Sequence, residues 1–212
     1  MSGEVQQPVV VGVTGASGAI YAARTLAALL AHGVHVELVV SEYGRRLLRD
    51  ELGDQANVDR LLPFLTGKYG ASVGHGRLTV HSHRDLGATI ASGSHGAVGM
   101  VIVPCSMKTL AGVAHGLSRN LVERAADVML KERRRLVIVP RETPMSLPQL
   151  KNMVLCAEAG ATMLPAMPAF YQLPKTLDDL ADFIAGKIIS ALGFEHQLYS
   201  EWTGRVGGSP AT

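Results

Sequence analysis

The sequence predicts a single-domain α/β fold, a doubly wound parallel sheet. Three observations predict it. Short β-branched runs recur along the chain without a polar face, which is the pattern of parallel strands buried on both sides. Segments of helical spacing lie between those runs, so strand and helix alternate. The 212 residues, 47% of them apolar, suffice for one sizeable core rather than two.

The elements follow in order. Pro8–Thr14 reads as the first buried strand, Gly15-Ala16-Ser17-Gly18-Ala19 as a tight turn, and the Ala/Leu-rich stretch to His32 as a helix ended by His32-Gly33. Val34–Val40 is the second strand, completing a βαβ unit, and Ser41-Glu42 opens a helix through Leu52. Residues 53–80 lose periodicity and carry Gly, Pro and polar side chains, so they are expected to form loop with little regular structure. Gly99–Pro104 is the third strand, helices are expected over 107–115 and 120–133, and Leu136–Val139 is the fourth strand. Ser146-Leu147-Pro148-Gln149 has an N-cap serine and a proline in the first turn, and leads a helix to about Glu158. Ala161–Leu164 is a last short strand and Leu177–Leu192 an amphipathic helix. The domain is expected to span 1–203, with a flexible tail from Gly204 to Thr212.

Composition excludes several classes of function. Charged residues are 18% of the chain and the net charge is +2, so neither nucleic acid nor another polyanion is an expected partner. No apolar run approaches the roughly 18 residues of a membrane helix, and MSGEVQQP lacks the basic and apolar regions of a secretory leader. Cys105 and Cys156 are too few for a disulfide framework and sit in apolar stretches, which reads as core thiols in a reducing, cytoplasmic compartment. The histidines and cysteines show no metal-ligand spacing, and His81 and His83 read as surface residues.

In open α/β sheets, ligands bind beyond the carboxyl ends of the strands. There the chain places Gly15-Ala16-Ser17-Gly18, Ser41, Cys105-Ser106-Met107-Lys108-Thr109 and Arg141-Glu142-Thr143-Pro144, a polar rim suited to an anion. The glycine turn is not G-x-G-x-x-G, and Val40-Ser41 stands where a dinucleotide site would carry an acid for the ribose diol. That favours a mononucleotide such as FMN over NAD. Ser92 and Ser94, with Ser106 and Thr109, form a candidate phosphate-binding set. The run Lys131–Arg135 reads as a solvated helix end, whereas Arg141-Glu142 directly follows a buried strand. One member of that pair could neutralise a phosphate and the other transfer a proton.

With these residues in view, the chain resembles the UbiX/Pad flavin prenyltransferases over nearly its whole length. The matching strings are Gly15-Ala16-Ser17-Gly18-Ala19-Ile20-Tyr21, Ala91-Ser92-Gly93-Ser94, Pro104-Cys105-Ser106-Met107-Lys108-Thr109-Leu110, Arg124-Ala125-Ala126-Asp127-Val128, Leu130-Lys131-Glu132-Arg133, Arg141-Glu142-Thr143-Pro144 and Pro168-Ala169-Phe170-Tyr171. The resemblance implies a Rossmann-like or flavodoxin-like sheet, FMN binding, transfer of a dimethylallyl group from dimethylallyl monophosphate to reduced FMN, prenylated FMN as product, a UbiD-type decarboxylase as its recipient, and a homo-oligomer, a dodecamer. It assigns FMN contacts to Gly15, Ala16, Ser17, Ser41, Ser106, Met107, Lys108, Thr109 and Arg141. Tyr171 and Lys187 would hold the donor phosphate across a subunit boundary, with Lys131 and Arg141 adding positive charge. Glu142 would protonate the leaving phosphate, and Glu51 with Ser17 would manage the late proton transfer, with Arg124 as a weaker candidate. No metal is implied, because cationic side chains do that work. Departures from the family pattern are Lys187 where Arg is frequent, Leu173 for His or Arg, Ala166 for Pro, and His95 where Phe is common.

Two rivals are weaker. Flavin-dependent cysteine decarboxylases carry P-x-M-N-x-x-M-W, where this chain has Pro165-Ala166-Met167-Pro168-Ala169-Phe170-Tyr171 and so lacks the asparagine that holds the substrate carboxylate. A flavin carrier or accessory subunit of a decarboxylase would bind FMN without needing Glu142.

Overall fold

The computed structural model describes residues 7–200, so the expected tail from Gly204 to Thr212 lies outside the described residues. Its six strands are β1 (Val9–Val13), β2 (His35–Val40), β3 (Arg77–His81), β4 (Gly99–Cys105), β5 (Arg135–Pro140) and β6 (Thr162–Met163). They form one sheet in the order β3-β2-β1-β4-β5-β6, every pairing parallel. The helices are α1 (Ala19–Ala31), α2 (Glu42–Leu52), α3 (Leu61–Tyr69), α4 (Met107–Ala114), α5 (Leu121–Lys131), α6 (Leu147–Glu158) and α7 (Leu177–Leu192). The predicted doubly wound sheet is what forms.

The alternation of side chains along the strands builds a core on each face. Val9, Val11 and Val13 of β1, with Leu38 of β2 and Val137 of β5, pack against α1 and α7. Val10, Val39, Met100, Ile102 and Ile138 point the other way, into the layer that holds Leu110 of α4, Leu121 and Val122 of α5, and Cys156 of α6. Most of these residues are fully buried, and each such aliphatic side chain contributes about 1.5–3 kcal/mol relative to exposure. The strand order reverses direction between β1 and β4, the place where doubly wound sheets open a crevice at their carboxyl ends.

Residues 53–80 correct the sequence reading. They fold into the 3-10 turns Asp54–Ala56, Val58–Arg60 and Ala71–His75, helix α3 and edge strand β3. Pro63 misleads in sequence, yet it sits in the first turn of α3, where a missing N–H costs nothing. Only Leu61 and Leu65 of that helix are buried, too short a stripe to show as periodicity.

The thiols are core groups as expected. Burial raises Cys105, and it pushes Cys156 up to about 11. Among the described residues, no helix is long and apolar enough to cross a membrane.

Candidate active site

The carboxyl ends of the central strands are sewn together by hydrogen bonds, and this fixes the site. Buried Thr14, at the end of β1, donates its hydroxyl to Pro104 O at 2.9 Å and accepts Ser106 N at 2.8 Å. Ser41 N donates to Val13 O at 2.9 Å, and Arg141 N donates to Cys105 O at 3.3 Å. The residues following β1, β2, β4 and β5 therefore stand in a row along one edge.

Three helices begin at that edge. Ser41 caps α2 by accepting Gly44 N at 3.1 Å, and Ser106 caps α4 by accepting Thr109 N at 3.3 Å. The first amides of α4, at Met107 and Lys108, have no intrahelical acceptor and stand at the positive end of the helix dipole, an end that favours an anion. At α1 a carboxylate takes the capping role: Glu51 Oε2, reaching across from α2, accepts Gly18 N at 2.9 Å and Ala19 N at 2.7 Å. Gly18 adopts φ 113°, a conformation that glycine reaches without strain. Arg141 closes the other side of the turn, its Nε donating to Ser17 O at 2.9 Å.

Beside this turn lies an open cleft of about 530 Å³, within the range of small-molecule sites. Gly15, Ser41, Ser106, Lys108 and Thr109 line it, five of the residues expected to contact FMN. A methyl at Gly15 would fall 2.6 Å from Tyr43 Cβ, so the turn is glycine where the backbone must pass close to that side chain. Ala16 and Met107 are buried and do not line it. A short glycine turn, two capping hydroxyls, open helix amides and the Lys108 ammonium make a donor set that fits a phosphate-bearing mononucleotide such as FMN.

The cleft also takes in residues that sequence reasoning missed: Tyr43, His83, Arg84, Arg119, Asn120 and Glu123. His83 and Arg84 lay in a segment beyond the unrecognised strand β3, so their place at its carboxyl end was hidden. His83 is not a plain surface residue, since burial and then the Arg84 charge lower its pKa. His81 is partly buried as well, its Nε2 lying 3.3 Å from Glu37 Oε1. Glu123 is 2% exposed and holds Arg119 through the backbone N at 2.9 Å and the guanidinium at 3.0 and 3.2 Å. Those bonds raise the Arg119 pKa further. A methyl at Gly112 would fall 2.5 Å from the Glu123 carboxyl carbon, so that pair depends on glycine in α4.

The other expected residues divide into two groups. Glu142, partly buried, follows Arg141 on the rim and accepts Thr143 N at 3.1 Å. The segment leaving β6 crosses the end of β5, with Ala166 N donating to Pro140 O at 3.1 Å, and carries Tyr171 onto Phe183 of α7 edge to face at 6.1 Å. Lys187, exposed on α7, lies with its Nζ 5.5 Å from the Phe183 ring centroid, so Tyr171 and Lys187 share one aromatic cluster.

Lys131 is elsewhere. It ends α5, before β5 begins, whereas Arg141 follows the far end of β5. Its Nζ lies 2.5 Å from Glu132 Oε1, against the turn at Gly93. Ser92 and Ser94 share that end of the sheet, because they precede β4 while Ser106 follows it. The expected grouping of Ser92 and Ser94 with Ser106 and Thr109 is thus not made within one chain: the length of β4 separates them. Arg124 supports the serine turn, with Nε donating to Ala91 O at 3.0 Å.

Comparison with known proteins identifies the family. The Flavoprotein family model matches residues 2–188. Flavin prenyltransferase UbiX of Halalkalibacterium halodurans is 50% identical over 192 residues, covering 91% of each chain. That of Alkalihalophilus pseudofirmus is 47% identical over 203 residues, covering 95% of this chain and 99% of its own. Among solved structures, AnUbiX (PadA1) in complex with FMN and dimethylallyl pyrophosphate superposes with TM-score 0.84 at 37% identity, covering 94% of this chain and 98% of the other. A dodecameric FMN-dependent UbiX-like decarboxylase from Escherichia coli O157:H7 gives 0.81 at 38%, covering 93% and 100%. The FMN-dependent cysteine decarboxylase SpaF shares only the fold, at 20% identity and TM-score 0.52, with 76% and 84% covered. The chain belongs to the Flavoprotein family and, within it, to the UbiX flavin prenyltransferases.

Proposed function

We propose that this protein joins a dimethylallyl group from dimethylallyl monophosphate to N5 and C6 of reduced FMN and releases prenylated FMN. The observation that carries the reading is the joint at the carboxyl edge, where Arg141 and Glu51 grip opposite sides of the Ser17–Ala19 turn beside the FMN-sized cleft and Glu142 stands next to Arg141.

Reduced FMN supplies the nucleophile: N5 takes the allylic carbon and gives up its proton as the carbon–phosphate oxygen bond breaks, then the alkene takes up a proton and C6 bonds to its tertiary carbon with loss of the C6 proton. The protein's part is to hold, charge-balance and move protons. Gly15, Ala16, Ser17, Ser41 and Ser106–Thr109 hold the flavin through backbone amides and capping hydroxyls. Arg141 and the aromatic-borne pair Tyr171 and Lys187 bind the donor phosphate. A monophosphate leaves poorly, so cations alone are not enough and Glu142 delivers a proton to it as it departs. Glu51 uses Oε2 to hold the turn, and its other oxygen serves with Ser17 to remove the late proton.

Lys131 reaches a donor phosphate from a neighbouring subunit, together with Ser92 and Ser94. Its position before β5, at the end of the strand opposite Arg141, supports assembly into a homo-oligomer, and the dodecameric relative makes a dodecamer the favoured state. The catalytic unit spans 1–203 and acts in the cytoplasm, where its two buried thiols stay reduced. A UbiD-type decarboxylase receives the product.

The test separates transfer from mere flavin carriage. Glu142→Gln should bind FMN as tightly as the parent and lose product formation by about a hundredfold or more. A variant with parental turnover removes Glu142 from the reaction and returns the carrier reading to favour.

A further inference from the structure

Glu37 lies on β2 and shares the sheet face of Val39, yet its side chain is only 5% exposed. A carboxylate buried there is costly unless both oxygens are paired. Two imidazoles pair them. His81, from the neighbouring strand β3, places Nε2 3.3 Å from Oε1, and His95 places Nε2 2.7 Å from Oε2. Because a carboxylate accepts only, each Nε2 carries the donated proton. His35 of the same strand bonds Thr79 instead, at 2.9 Å, and leaves both carboxylate oxygens to the other two.

His95 closes the turn that carries Ser92 and Ser94, its N donating to Ser92 O at 3.2 Å. The two serine hydroxyls lie 2.8 Å apart on exposed residues. A methyl at Gly93 between them would fall 2.7 Å from Lys131 Nζ and nearer still to Glu132 Oε1, so the ammonium and its paired carboxylate lie against the serine turn. Arg134 grips the turn from the β5 side, donating to His95 O at 2.6 Å and Gly93 O at 2.8 Å. Glu37 grips it from β2 through the His95 ring. The turn is thus pinned between two strands that are not neighbours in the sheet.

We propose that Glu37 and His95 are a positioning pair that sets the Ser92–Ser94 hydroxyls against Lys131 for the phosphate of the prenyl donor. The assignment rests on the prenyl-transfer reading of the site. His81 fixes the carboxylate, the carboxylate fixes the His95 ring, and the ring fixes the turn. Neither member of the pair touches the donor, so their loss weakens donor binding and spares the chemical step.

The experiment uses the full chain in its native assembly and measures KM for dimethylallyl monophosphate against kcat at saturating reduced FMN. His95→Phe keeps the ring and removes the donor, and His95→Gln keeps an N–H for Glu37. Phenylalanine should raise the donor KM by about five- to twentyfold with kcat within about twofold, and glutamine should recover most of that loss. Amide exchange over residues 92–95 should quicken in the phenylalanine variant alone. An unchanged KM overturns the proposal, the more decisively if exchange shows the turn released. So does a parallel fall in kcat and melting temperature, which marks a purely structural bond. A parent protein that makes no product from the monophosphate or the diphosphate overturns the underlying reading instead, and the proposal with it.

Discussion

Lys131 and Arg141 stand at the two ends of strand β5, separated by six residues of extended chain, roughly 20 Å. Two cations meant for one phosphate cannot meet from that distance within a chain. They can meet when the amino edge of one subunit's sheet faces the carboxyl edge of another's, and this fixes what mixing experiments should show. Lys131→Ala and Glu142→Gln are each expected to be nearly inactive alone. Co-assembled, they should regain a measurable fraction of parental turnover, because some hybrid sites draw an intact Lys131 and an intact Glu142 from different chains. Hybrids as inactive as their parents would place both residues in one chain's site.

The assembly itself should depend on α6. Leu147, Leu150 and Val154 recur at helical spacing and are 64%, 45% and 55% exposed, while Cys156 alone on that helix is buried. Leu150→Glu should shift the protein to smaller species by light scattering after size exclusion, with prenyl transfer falling in step. A charged α6 that leaves the mass unchanged would move the interface elsewhere.

At the glycine turn the geometry is less forgiving. Gly15→Ala puts a methyl 2.6 Å from Tyr43 Cβ, so either the turn or α2 must shift. The cost of such overpacking, about 1–3 kcal/mol, should appear as a roughly fivefold or greater loss of FMN affinity by flavin fluorescence titration. Affinity equal to the parent's would show that FMN does not lie along this turn.

Glu51 has a structural duty that can be read apart from catalysis. Its carboxylate is the cap of α1, so Glu51→Ala should lower stability by about 1–2 kcal/mol in urea unfolding. Glu51→Gln, which keeps an acceptor, should retain most of that stability while still losing late proton transfer. Equal stability in all three proteins would mean that the cap carries no weight.

Burial should keep both thiols silent. With Cys156 pushed up to about 11 and Cys105 raised as well, only about a thousandth of Cys156 is thiolate at pH 8, and reactivity can only rise as pH increases. A disulfide reagent at pH 8 should therefore find the two cysteines only after denaturant is added. A fast-reacting thiol in the native protein would contradict the burial.

What the sequence made legible follows from physics that acts locally. The buried strands Val9–Val13 and Gly99–Cys105, and helix α7 at its observed bounds Leu177–Leu192, stand out by hydrophobic pattern, and the polar residues just past the strands mark the binding edge. Helix α3 and strand β3 were invisible because one buries two leucines and the other is an edge strand, half exposed. Missing β3 hid His83 and Arg84 in the cleft and the His81 bond to Glu37. The separation of Lys131 from Arg141 was legible, because the first ends the helix before the fourth strand and the second follows that strand.

The central claim is prenyl transfer to flavin, and its most direct test is anaerobic incubation of the purified protein with reduced FMN and dimethylallyl monophosphate, followed by mass spectrometry of the released flavin. The account predicts a flavin heavier by one C5H8 unit, formed at a rate that depends on Glu142. Unchanged FMN after incubation with the monophosphate and again with the diphosphate, from protein that binds FMN, would contradict it.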